Sequence, residues 1–423
     1  MSNMEPVTIS LLIFTLTFLL IITELVHKTL AALIGSFLMV IYNFVTYSEI
    51  GKLVNFEVIG VIFGMMILVE VIKESGLFQF LGIKMIKITR GKPRRLFVFL
   101  TLFTGIISGL LGGATGILIA SALTFTVCRS LELDPIPFII SEAIVTNIGA
   151  TMLLTSSSTN IIIADAAKLS FMDFIPVTIP ISIILLAVTT VILLYINKDS
   201  FRNGKSTITD EMDPWSVVKD KPFFWKSTLI LFFTIVFFIF HEKVGVTVDF
   251  VAISSAIIIL LVSDANLDEV FKELHWGTLI FFSCLFIVVG GLEITGVLDI
   301  FSRSLIRLTE GNQKFLIPLS IWIPGLISGF TNDVTLTVTL VPVLRDLAGS
   351  FGNNIIWWVG MTAISLGGNF TPIGSRAGAI VSSIAKKEGY SIPLRETLRT
   401  GIALALTHLL LVTGYFLVLS FLF

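Results

Sequence analysis

The chain has 423 residues, 55% of them hydrophobic and only 13% charged, with a formal net charge of −1 and a mean hydropathy of +0.98; an ordinary soluble domain carries about 25% charged residues. This composition excludes water as the main solvent, and near-neutral charge without a long basic block excludes nucleic acid as a partner. Cys128 and Cys284 stand far apart and His27, His241, His275 and His408 do not cluster, so no disulfide framework, metal site or cofactor is expected.

Apolar stretches near the roughly 20 residues that cross a bilayer recur along the chain, most clearly at 9–26, 58–71, 175–196 and 402–423. They are continuous and rich in Leu, Ile and Phe rather than alternating, so their backbone groups must be satisfied within helices. The expected fold class is an all-α polytopic membrane protein. Residues 1–6 lack a basic region and no small-residue cleavage site follows, so 9–26 reads as a retained span.

The next element is a basic loop: residues 84–95 hold Lys84, Lys87, Arg90, Lys92, Arg94 and Arg95, which places this loop in the cytoplasm. Residues 96–129 form two short apolar arms around the polar tip Gly112-Gly113-Ala114-Thr115, a pattern that suits a re-entrant hairpin or ordinary spans. A broken helix follows at 135–168, interrupted between Asn147 and Asn160. Residues 197–222 are the only long polar segment and read as a cytoplasmic linker between a first membrane repeat, 1–196, and a second, 223–423. The second repeat carries a hairpin at 315–348, with its tip at Thr331-Asn332-Asp333-Val334-Thr335, and a broken helix at 353–387 interrupted between Leu366 and Arg376.

The division into repeats rests on self-similarity. At a constant shift of 220 residues, the spacing from Gly105 to Gly325, the Gly105-Ile-Ile-Ser-Gly109 block falls on Gly325-Leu-Ile-Ser-Gly329, Gly76 on Gly296 and Thr115 on Thr335. After a two-residue adjustment Gly149 falls on Gly367 and Ser157 on Ser375. The second half has only Arg303, Arg307 and Lys314 where the first has its basic loop. With an odd number of crossings per half, the second repeat is inverted. The expected count is about ten spans plus two hairpins.

Polar, glycine-rich breaks at membrane depth cost several kcal/mol per unsatisfied backbone group unless they line a cavity or are buried in protein. They are therefore the candidate site. A broken helix offers free N–H groups to anions and free carbonyls to cations or hydroxylated solutes. The candidates are Thr115 in the first tip; Asn147, Ser157, Ser158, Thr159 and Asn160 in the first break; Asn332, Asp333 and Thr335 in the second tip; and Asn369, Thr371, Gly374, Ser375 and Arg376 in the second break. An intramembrane carboxylate costs about 2.5–3.5 kcal/mol on insertion scales, which makes Asp333 a proton or coupling-ion site, with Asn332 and Thr335 completing a sodium site; a solvated helix cap is the alternative. Arg376 neutralises Asp333, receives an anionic substrate, or snorkels to the interface. The hydroxyl and amide run from Ser156 to Asn160 suits a small ion or solute, or plain interhelical hydrogen bonding. Glu70, Glu142, Asp165 and Glu293 read as interfacial or paired acids, and Trp357 and Trp358 as lipid-facing or packing residues.

On Phe63-Gly-Met-Met-Ile-Leu68, Lys73-Glu-Ser-Gly76, Gly290-Gly-Leu-Glu293, Glu142-Ala-Ile-Val-Thr-Asn-Ile-Gly149 and Thr371-Pro-Ile-Gly-Ser375, the chain resembles the arsenite/antimonite permease and P-protein branch of the ion transporter superfamily, which also holds citrate, dicarboxylate and sodium/proton carriers. The resemblance spans nearly the whole chain and implies scaffold and transport subdomains, a hairpin and an interrupted helix in each repeat, a homodimer with elevator-type motion, and residence in the plasma (inner) membrane. It implies a secondary transporter, not an enzyme, for arsenite, antimonite or a small inorganic or organic anion, coupled to H+ or Na+. A Na+/H+ antiporter or a Na+-coupled di- or tricarboxylate importer is the alternative, and an anion channel is the reading from another class. Three departures stand out: the first tip lacks the acid–amide pair of relatives, the first break has Ser-Ser-Ser-Thr-Asn, and Arg376 replaces a small or apolar residue.

Overall fold

The computed structural model describes residues 4–23, 26–90, 92–198, 200–201, 213–274, 276–297, 313–329, 333–351, 354–371 and 376–420. Those residues are helical or connecting, with no strand among them. The first half contains α1 (Met4–Thr23), α2 (Lys28–Ile41), α3 (Tyr47–Leu53), α4 (Phe56–Glu74), α5 (Leu77–Thr89), α6 (Pro93–Leu111), α7 (Gly113–Ser130), α8 (Ile136–Gly149), α9 (Ser158–Ala167) and α10 (Phe171–Ile196). The second contains α11 (Lys221–Val244), α12 (Val248–Val262), α13 (Leu267–Glu273), α14 (Trp276–Ile294), α15 (Gln313–Ser328), α16 (Asp333–Phe351), α17 (Ile355–Gly367), α18 (Arg376–Lys387) and α19 (Leu394–Leu419). Several boundaries coincide under the 220-residue shift, α3 with α13 and α4 with α14 residue for residue.

Five helices among the described residues are long and apolar enough to cross a bilayer, and the bent pair α3–α4 makes a sixth; seven further apolar helices have 10–17 residues. The protein is an all-α polytopic membrane protein, and among the described residues several of its apolar helices are shorter than a full span. The first hairpin arm is not short: α6 has 19 residues and meets the length for a span by itself. Trp357 and Trp358 are packing residues, buried in α17, and Trp358 meets the ring of Phe174 edge-on at 4.9 Å.

Helices of opposite halves pack in matching pairs. α4 lies on α12 and its counterpart α14 lies on α2. α7 lies on α18 and its counterpart α16 lies on α9. Within each half, the first hairpin arm lies along the first arm of the broken helix, α6 on α8 and α15 on α17. Two glycines explain how closely these arms approach. A Cβ on Gly149 would sit 2.3 Å from the Gly105 carbonyl oxygen, and one on Gly367 would sit 2.1 Å from that of Gly325. Gly64 plays the same part between α4 and α12, where a Cβ would stand 2.5 Å from the Ala252 backbone. Of the linker, the turn at Pro214–Val217 docks on α5, with Trp215 against Phe80 at 4.7 Å.

Candidate functional site

The first break lies between α8 and α9. Ser157 caps α9 in an extended conformation and its hydroxyl accepts from the Asn160 N–H at 3.2 Å. The same hydroxyl donates to Asn160 Oδ1 at 2.9 Å, and Asn160 Nδ2 donates to the carbonyls of Ala150 at 2.8 Å and Leu153 at 2.7 Å. Ser156 accepts from the Leu153 N–H at 2.9 Å and donates to the Gly109 carbonyl. These side chains satisfy backbone groups that the interruption of the helix leaves orphaned. Ser157 and Asn160 therefore serve the break itself first.

In the second break α17 ends at Gly367, a short turn occupies Gly368–Phe370, and Thr371 is extended. Thr371 donates to the Gly329 carbonyl at 2.6 Å, matching the Ser156–Gly109 bond of the other half. Gly374 and Ser375 lie outside the described residues, as do Asn332 and the side chain of Arg376, which opens α18.

The two breaks meet. Asn147 Nδ2 donates to Asn369 Oδ1 at 2.7 Å and Asn369 Nδ2 donates to the Ile144 carbonyl at 3.3 Å, all within buried surroundings. A second crossing joins α9 to α16, where the Thr337 hydroxyl is bonded to Thr159 at 3.1 Å and to the Asp333 carbonyl at 2.6 Å. Asp333 begins α16 half-buried, with Oδ1 accepting from the Val334 N–H at 3.0 Å, a place where the helix dipole favours negative charge. Two residues on, the Thr335 hydroxyl is buried without a hydrogen-bond partner. Ser158 is buried at the start of α9. Thr115 is half-buried on α7 and borders a cavity instead of the Asn147–Asn369 junction.

The structure also holds two large cavities. One, of about 700 Å³, is bordered by Asn55 and Phe56 at the start of α4, Glu293 at the end of α14, Asp165 of α9 and Arg345 of α16. The other, of about 480 Å³, is bordered by Glu70 and Lys73 at the end of α4, Leu274 just before α14, and Thr115 and Phe125 of α7. They thus lie at opposite ends of both α4 and α14, and the repeat shift carries residues of one wall onto the other, as Met66 onto Phe286 and Phe125 onto Arg345. A third space of about 30 Å³, the size of one water, is bordered by Asn369 and Thr371.

Three of the acids read as interfacial or paired do have partners: Glu70 with Lys73, Asp165 with Lys168, and Glu293 with Arg345, each at 3.1 Å. Asp165 also accepts from Asn55. Glu142 differs. It is fully buried between α7 and α8, accepts one hydrogen bond from Thr124, and has its other oxygen unpartnered. Two of the paired acids have their lysine three residues on in the sequence, whereas no basic residue stands within four positions of Glu142, a signal that could have set it apart.

The model of the citrate transporter family matches residues 18–363. This chain belongs to the citrate transporter family. Among relatives, a 46 kDa membrane protein of Mycobacterium leprae is 30% identical over 98% of this chain and 99% of its own length. An uncharacterized transporter of Mycobacterium tuberculosis is 28% identical over 97% of this chain and 99% of its own. The P protein of Homo sapiens is 26% identical over 93% of this chain, which spans 58% of that larger protein. Membership of the citrate transporter family and the names of these relatives indicate a multi-pass membrane transporter acting on a small solute, not an enzyme.

Proposed function

We propose that the protein is a secondary active carrier of the plasma membrane, built from two inverted repeats, that moves arsenite or antimonite as the neutral trihydroxide in exchange for protons. The observation that carries this reading is the Asn147–Asn369 bond between the two breaks, with the unpartnered Thr335 hydroxyl at the second tip. The described side chains at these points are neutral amides and hydroxyls, which suit a small hydroxylated solute better than a polyanion. Asp333 is the acid nearest the tip and exchanges the coupling proton, or with Asn332 and Thr335 holds Na+. The cavities at opposite ends of α4 and α14 supply a route from each side, and the carrier works as a homodimer.

The test is energised uptake of arsenite into everted vesicles carrying the protein, against vesicles lacking it. Uptake that collapses with a protonophore supports the reading, and absence of uptake rejects it. The match to the citrate transporter family favours a second reading, cation-coupled import of an organic anion, with Arg376 receiving a carboxylate. Arg376→Leu separates the two, since it abolishes citrate uptake on the second reading and spares arsenite on the first.

A further inference from the structure

The seam between α7 and α8 and its counterpart between α16 and α17 are built alike and filled differently. In the second half, position 360 is glycine, and a Cβ there would meet the Leu344 side chain at 2.7 Å; Val341 and Ala348 fill the same buried face of α16. In the first half the corresponding positions are Glu142, Thr124, Ser121 and Cys128, all buried at 0–1% exposure. An apolar seam therefore suffices to hold these helices together, and packing does not call for the acid.

Glu142 accepts from Thr124 through Oε1, while Oε2 and the neighbouring Ser121 hydroxyl have no hydrogen-bond partner. As a carboxylate, Glu142 would place a full charge in a buried seam with one hydrogen bond and no counter-charge among the described side chains, a cost of several kcal/mol. As a carboxylic acid it is neutral. The elements packed on α8 offer no compensating charge among the described side chains. α7 presents the Cys128 thiol, and its Arg129 is bonded to Glu388 at 2.7 Å beyond the C-terminal end of α18. Asp134 precedes α8; Arg94 and Arg95 lie in the first turn of α6 and Asp173 in that of α10; α17 has no charged residue. On α18 the charged positions are Arg376 at its start and Lys386 and Lys387 at its end.

α18 covers this seam from the other half, its Ala377, Val381 and Ala385 stripe lying on Ile117, Phe125 and Ile139. Cavities border it on both sides: Ala143, next to Glu142, lines the small one with Val381, and Ala122 and Phe125 line the 480 Å³ one with Ile384. We infer that Glu142 is a proton-binding site, loaded in the conformation described here and emptied when α18 parts from α7 and α8. An intramembrane acid of this kind is a functional site by default, and here its second oxygen, the unpartnered Ser121 hydroxyl and the adjoining cavities point to a mobile proton. Glu142 is thus a second proton site, apart from Asp333 and additional to the carrier reading, and it is testable without a solute.

The test is infrared difference spectroscopy of the purified full-length protein in lipid, titrated with alkali. The expected result at neutral pH is the carbonyl band of a protonated carboxylic acid that shifts in D2O, disappears as pH rises, is lost in Glu142→Gln and persists in Asp333→Asn. Gln keeps the size of the side chain and an acceptor for Thr124. A wild-type protein without such a band, a band unchanged in Glu142→Gln, a band lost only in Asp333→Asn, or one that survives every pH at which the protein stays folded would each overturn the inference. Should Glu142→Gln fail to fold, Thr124→Val removes the donor while keeping the acid, and the band must move to higher frequency; an unmoved band overturns the inference too. Because the readout is independent of any transported solute, a failed arsenite assay leaves it standing, and the reverse holds.

Discussion

The first break spends its polar side chains on closing the chain, whereas the tip of the second half leaves at least one unspent. Asn160, Ser157 and Ser156 close the gap between α8 and α9 with hydrogen bonds to nearby backbone and to one another. Thr335, at the second tip, has a buried hydroxyl with no partner. A buried polar group that is fully satisfied stabilises a shape, and one left unsatisfied is kept at a cost that binding can offset. Polar side chains of similar type thus serve architecture in one half and are available for a ligand in the other.

Substitutions at the glycine seams should have the largest effect, since they break the frame common to both breaks. Gly149→Ala and Gly367→Ala each force a methyl into a carbonyl oxygen; overpacking costs about 1–3 kcal/mol or more, and the rigid backbone on both sides puts these at the upper end. Both should show sharply reduced yield of folded protein by size-exclusion chromatography, and a normal profile for either would remove the seam from the account. Next comes the contrast itself. Asn160→Ala orphans the Ala150 carbonyl and leaves that of Leu153 with the Ser156 N–H alone, at about 1–3 kcal/mol for the group left unsatisfied, and should lower the thermal midpoint by several degrees. Thr335→Val breaks no hydrogen bond and keeps the shape, so its midpoint should be unchanged or higher while solute transport falls at least tenfold. If Thr335→Val destabilises as much as Asn160→Ala, the distinction between the two breaks is lost.

A smaller effect is expected where the halves touch. A double-mutant cycle of Asn147→Ala and Asn369→Ala should give a coupling of about 1 kcal/mol, in the range seen for contacting residues, measured from thermal midpoints; a value near zero would separate the two breaks energetically. The smallest effect belongs to Arg345→Ala, whose ion pair with Glu293 is about half exposed on both sides. Such a pair contributes roughly 0–1 kcal/mol, so stability should not change measurably, and a large loss would mean that Arg345 has a further buried partner.

The elements were legible in the sequence to the extent that they repeat or interrupt. Gly105, Gly109, Gly149 and their counterparts stood out because they recur at 220 or 218 residues, and in the structure Gly149 meets the backbone of Gly105 and Gly367 that of Gly325. The breaks were visible as polar runs inside apolar ones. What these runs bond to was not, because Ser156 and Asn160 can serve a ligand or their own backbone with the same side chains, and only the path of the chain decides. The Asn147–Asn369 contact joins residues 222 apart and leaves no local signature. Glu142 differs from Asp165 already in sequence, where Lys168 follows Asp165 by three residues and no basic residue stands within four of Glu142. The structure gives Asp165 a lysine and an asparagine at a cavity edge and gives Glu142 one threonine in a buried seam.

The Gly149–Gly105 and Gly367–Gly325 contacts also have a mechanical meaning. With no side chain between two backbones there is nothing to compress or reorient, so α6 with α8, and α15 with α17, behave as single beams. Gly64 joins α4 to α12 in the same manner. Room for movement then lies at the boundaries between these stiff groups, as along the 700 Å³ cavity, where α4 borders α9 and α14 borders α16.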